Sequence, residues 1–125
     1  MALTEPSFTI GIEEEYLLVD KVTRDVASDP PEALFKACQS QIKGLVAHEF
    51  LKAQIEVNTE VCTNLQQARD NLASLRRIVA EVAGEHGLAP IAAGTHPFST
   101  GSSSFTPTRN ATTSLRGTCR RSCAG

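Results

Sequence analysis

From Ser99 to Gly125, 12 of 27 residues are Ser or Thr, and no 2-residue or 3.6-residue apolar period runs through them. A stretch of that composition buries too little apolar surface to offset the entropy lost on ordering it. Whatever core this chain of 125 residues builds must come from its first 98. The charges divide at nearly the same place. The formal −2 combines −6 over residues 1–97, with 8 Lys and Arg against 14 Asp and Glu, and +4 over residues 98–125, where Arg109, Arg116, Arg120 and Arg121 stand without an acid. Residues 1–98 therefore read as one folding unit. Residues 99–125 read as an aberrant Ser/Thr/Arg-rich tail, disordered or frameshifted.

The acidic first part argues against nucleic acid as a partner, because phosphate binding needs a concentrated basic face. No run of about 18 apolar residues is present, and Met1–Pro6 lacks a basic region followed by an apolar stretch, so neither membrane insertion nor export is expected. A cytoplasmic chain is the expectation, with Cys38, Cys62, Cys119 and Cys123 as reduced thiols.

Phe8–Asp20 (FTIGIEEEYLLVD) alternates as a strand, with Glu13, Glu15, Leu17 and Val19 on one face and Ile12, Glu14, Tyr16 and Leu18 on the other. Asp29-Pro30-Pro31-Glu32 opens a predicted helix whose apolar stripe is Leu34, Cys38, Ile42 and Leu45 or Val46, with Gly44 weakening its end. Phe50–Cys62 (FLKAQIEVNTEVC) predicts a second strand, Gln54, Glu56, Asn58 and Glu60 opposing Ile55, Val57 and Val61. Thr63 with Gln66 fits a capping box for a long helix to Gly87, striped by Leu65, Leu72, Leu75, Val79, Val82 and His86. Leu88–Phe98 (LAPIAAGTHPF) predicts a short buried strand running into a Thr-His-Pro turn. The expected order is strand, helix, strand, helix, strand.

Glu13 and Glu15, two apart on a strand, share a face about 7 Å apart at roughly 3.3 Å per residue. Glu56 lies on the polar face of the second strand. If the two strands are neighbours, three carboxylates converge with no basic residue close in sequence. A divalent cation would relieve that repulsion, and oxygen-only ligands favour magnesium or manganese over zinc. The same acids also fit a solvated strand edge. Glu14 falls beside Ile12 and Tyr16, so it must pair with a cation or sit at the sheet margin. His48 and His86 read as structural, and Cys62 as a core thiol.

Three stretches in this order, GIEEEYLLVD (11–20), QIEVNTEVC (54–62) and AAGTHPF (92–98), strongly resemble the type 2 glutamate–cysteine ligase, or carboxylate–amine ligase, family. The resemblance covers residues 7–98, about the first quarter of such a ligase. It implies an α+β fold, the N-terminal part of a glutamine-synthetase-like antiparallel sheet with flanking helices, here truncated. It also implies an ATP- and Mg2+-dependent enzyme of glutathione biosynthesis. ATP converts the γ-carboxyl of glutamate to an acyl phosphate, and cysteine or another amine displaces phosphate from it. By position, Glu13, Glu15 and Glu56 match the family's metal-binding carboxylates. His96, in the Thr-His-Pro-Phe motif, either faces substrate or holds the turn. No residue here matches a catalytic one.

The tail departs from the family's continuation. Synonymous codons for Gly101 onward, taken one nucleotide out of phase, can encode a string that resembles that continuation, so a single-base loss or sequencing error near Gly101 is the expected origin of the tail. The 125-residue chain is expected to be inactive, with an unpaired sheet edge that favours self-association. The alternatives are a non-catalytic metal-binding fragment and a non-functional product of a damaged gene.

Overall fold

The computed structural model describes residues 7–49 and 51–99. Phe50, where the second strand was expected to begin, and residues 100–125, which hold nearly all of the expected tail, lie outside the described residues. The elements run β1 (Glu13–Asp20), α1 (Glu32–Gln41), β2 (Val46–His48), β3 (Gln54–Asn58), α2 (Leu65–Glu85) and β4 (Leu88–Ile91). The strands form one antiparallel sheet in the order β2-β3-β1-β4. The expected α+β class holds.

Both helices pack on one face of this sheet. Tyr16, Leu18, Val46, Ile55, Val57 and Leu88 meet Leu34, Phe35 and Cys38 of α1 and Leu75, Val79 and Val82 of α2 in a single core. Val57 and Val79 are fully buried. Each such side chain contributes about 1.5–3 kcal/mol by leaving water.

Five expectations change in detail. The strand expected over Leu88–Phe98 is confined to Leu88–Ile91, and of its residues only Leu88 is buried. The ladder of β1 begins at Glu13 rather than Phe8, because the Ile12 N–H donates to the Thr59 hydroxyl at 3.0 Å instead of to a strand carbonyl. The pairing continues through the Thr59 N–H on the Ile12 carbonyl at 2.9 Å and an isolated bridge between Ile10 and Cys62. The first helix stops at Gln41, and Gly44, at φ +76°, turns the chain so that Val46 belongs to a strand, β2, that periodicity had merged into the helix. The second strand ends at Asn58, leaving Val61 exposed while Cys62 is buried. The N-cap of α2 is Asn64, not Thr63: its side chain accepts from the Gln67 N–H at 2.9 Å, while the Gln67 amide oxygen accepts from the Thr63 N–H. The cap thus lies one residue later than expected, with the return bond from Gln67 going to Thr63 rather than to the N-cap, and Leu65 is exposed.

Candidate metal centre

The sheet face opposite the helices carries the acids. Cross-strand register places Glu15 opposite Glu56 and Glu13 opposite Asn58, and on the other side of β3 Ala47 stands opposite Glu56. Strand alternation puts the residue two beyond Ala47 on this face as well, and that residue is Glu49. Carboxylate oxygens of Glu15, Glu49 and Glu56 all lie within 4.8 Å of one another.

Like charges directly opposed across a sheet are destabilising. Here hydrogen bonds offset part of that cost. A hydrogen bond with Glu49 and a second from Asn58 Nδ2, at 2.8 Å, hold the Glu56 carboxyl below its usual range against the opposing effect of burial. Two carboxyl groups can hydrogen-bond only by sharing a proton. A divalent cation can take that proton's place, and an all-oxygen donor set suits magnesium or manganese. The residues present therefore fit such an ion.

The structure thus brings two of the expected carboxylates, Glu15 and Glu56, together. Glu13 shares their face one row along and is not part of the group. Glu14 sits on the helix side and has the cation its position requires. Arg76 of α2 grips it with two hydrogen bonds, Nε to Oε2 at 2.7 Å and Nη2 to Oε1 at 2.5 Å, and the Tyr16 hydroxyl also donates to Oε2. Arg76 foremost, helped by Tyr16, holds the Glu14 carboxyl below its usual range although burial opposes this. Burial first, then the bond to Glu14, pushes the Tyr16 hydroxyl up.

His96 lies beyond β4, its Nε2 2.8 Å from the Arg24 carbonyl and its Nδ1 accepting from the Phe98 N–H at 3.3 Å. That pattern makes Nε2 the donor to a residue with φ +67°. Both ring nitrogens are therefore engaged in joining the 96–98 turn to the loop after β1. His48 lies within β2, stacked on Phe35 of α1. His86 forms the C-cap of α2.

The family model for glutamate–cysteine ligase family 2 matches residues 9–116. The chain belongs to this family. The family match takes in all three motif stretches and runs past Phe98, the boundary drawn from composition. Among its relatives are proteins named "Putative glutamate--cysteine ligase 2" from Rhodospirillum rubrum, 55% identical over 100 residues, and from Jannaschia sp., 53% identical over 95 residues. These alignments cover 77% and 76% of this chain but 26% and 25% of the relatives. A third relative, from Solibacter usitatus, is 37% identical over 98 residues, 78% of this chain and 26% of its own. The chain thus spans about a quarter of the length of the relatives it matches. Among the described residues, no helix is long and apolar enough to cross a membrane.

Glu49 is the site residue that sequence reasoning missed. Its position is defined only once β2 exists, and β2 is three residues long. The available signal was Gly44 followed by the short run Leu45-Val46-Ala47, which points to a hairpin partner for Gln54–Asn58.

Proposed function

We propose that this chain is the carboxylate-bearing N-terminal part of an ATP-dependent carboxylate–amine ligase that joins the γ-carboxyl of glutamate to cysteine or a related amine. Its sheet fits the start of a glutamine-synthetase-like catalytic domain. The observation that carries this reading is the Glu15–Glu49–Glu56 oxygen cluster on the open sheet face of a family member. In this reading Glu15, Glu49 and Glu56 hold Mg2+, with Glu13 beside them on the same face. The ion would neutralise phosphate charge as the phosphoryl group moves from ATP to glutamate.

The remaining roles fall to this chain's own residues. Glu56 enters as a carboxylate, because the Asn58 amide fixes one of its oxygens. Glu15 is fixed by the register of β1 on β3, and Glu49 by the hairpin between β2 and β3. His96 orders the segment that follows β4.

The 125-residue chain holds the cation without turning over substrate. A coupled ADP-release assay with glutamate and cysteine is expected to show no turnover by this chain. Glu15→Gln and Glu56→Gln, made at the matching positions of the full-length Rhodospirillum rubrum relative, are expected to lower its ADP release at least a hundredfold, or about 2.7 kcal/mol. Undiminished release in either variant contradicts the reading.

A further inference from the structure

The sequence of β1, EEEYLLVD, lacks the alternation that normally tells a strand which face is which. Its first three residues are all Glu. The next four, Tyr16, Leu17, Leu18 and Val19, are all buried, so both faces are acidic at one end and apolar at the other. A one-residue slip exchanges the faces of a strand. Within Glu13–Glu15 it swaps acid for acid, and within Tyr16–Val19 apolar for apolar, so only the ends of the two runs resist it.

The two ends of the segment are held by other groups. Beyond its C-terminus the Asp20 carboxylate accepts from the Val22 and Thr23 N–H groups, both at 2.8 Å, and Ala27 N–H donates to Leu18 O at 2.8 Å. Before its N-terminus Ile12 is paired with Thr59. Between them stand three identical side chains, and on the helix side of the sheet one interaction singles out Glu14. Arg76 offers a planar two-toothed donor to the helix side of the sheet, and the hydroxyl of Tyr16, a buried residue, points a further donor at the same carboxylate. A guanidinium matches one carboxylate at a time in this geometry.

We propose that Arg76, with Tyr16, selects Glu14 as the helix-side acid and thereby presents Glu13 and Glu15 on the open face, which makes both positioning residues for the carboxylate cluster they never touch. Without Arg76, the Ile12–Thr59 pair can open and residues 12–14 can move one place along, with Glu15 bulged out, while Tyr16–Asp20 stay in place. Glu14 then competes for the place opposite Glu56. The register part stands on the structure alone, and its consequence for a cation rests on the ligase reading above.

The test uses the isotope-labelled 125-residue chain. Wild type is expected to give one set of amide resonances for residues 13–15 and a cross-strand Overhauser contact between Glu15 and Glu56. Arg76→Gln, at a half-exposed position that the core does not need, is expected to double those resonances and to lower that contact at least twofold. Arg76→Lys, which keeps the charge but not the fork, is expected to fall between. Mn2+ affinity is expected to drop about tenfold in Arg76→Gln. If wild type binds no Mn2+, the metal reading fails and the Overhauser contact still decides the register. A lowered melting temperature with single resonances and an undiminished Glu15–Glu56 contact makes the pair merely stabilising and overturns the proposal.

Discussion

Glu14 shows what one residue's surroundings reveal in sequence and what they conceal. That a charged side chain on the Ile12–Tyr16 face needs a cation follows from the cost of burying an unpaired charge. Which cation does not follow, because Arg76 is 62 residues away and reaches Glu14 only after α2 docks on the sheet. The Glu14 side chain is 16% exposed and that of Arg76 55%, so the pair is partly screened and contributes about 1 kcal/mol. Because the folded-state pKa of Glu14 lies below its unfolded value, this contribution is present above an unfolded pKa of about 4.3 and is lost as pH falls through the folded value. Glu14→Gln is therefore expected to lower the melting temperature by about 4–8 °C at pH 7. The difference should close in acid below about pH 4. Thermal melts by circular dichroism across pH 2–8 check both the size and the sign.

At the scale of elements, the long helix was the most legible because its stripe repeats over six turns, so a one-residue error at the cap left Leu75, Val79 and Val82 in the core. Short strands carry no such redundancy. β2 has three residues, and its Val46 fits the stripe of the preceding helix equally well, so only the left-handed backbone at Gly44 separates them. Gly44→Ala is expected to cost about 1 kcal/mol through backbone strain alone, since a Cβ there meets nothing within 4 Å. Asn64→Ala should cost α2 about 1 kcal/mol, whereas Asn64→Ser keeps the acceptor and should be nearly neutral. Equilibrium urea unfolding of these three variants and of Thr63→Ala measures the costs and distinguishes a misplaced cap from a correct one. If Thr63→Ala costs more than Asn64→Ala, the cap assignment fails.

For the whole molecule, the sheet puts most of its apolar residues under the helices and leaves Glu15, Glu49 and Glu56 together on the other face, which also carries Leu17 and Val19. Two of the three were legible because strand alternation and neighbouring strands suffice to place them. The third depended on a hairpin that periodicity does not encode. Three acids held this close are a cost to the metal-free chain, and that cost has a measurable sign. Glu15→Gln should raise the stability of the metal-free protein by a few tenths of a kcal/mol, up to about 1, by removing a like-charge pair opposite Glu56. The same change should roughly halve, or reduce further, the stabilisation that a divalent ion gives to wild type, which mass action sets at about 2.7 kcal/mol when the ion is at 100 times its dissociation constant.

The most direct test of this centre is a calorimetric titration of Mn2+ into the 125-residue chain and its Glu15→Gln, Glu49→Gln and Glu56→Gln variants. Saturable one-to-one binding by wild type, weakened tenfold or more in each variant, is the predicted result. Absence of saturable binding by the folded wild-type chain, or equal affinity in all four proteins, would contradict it.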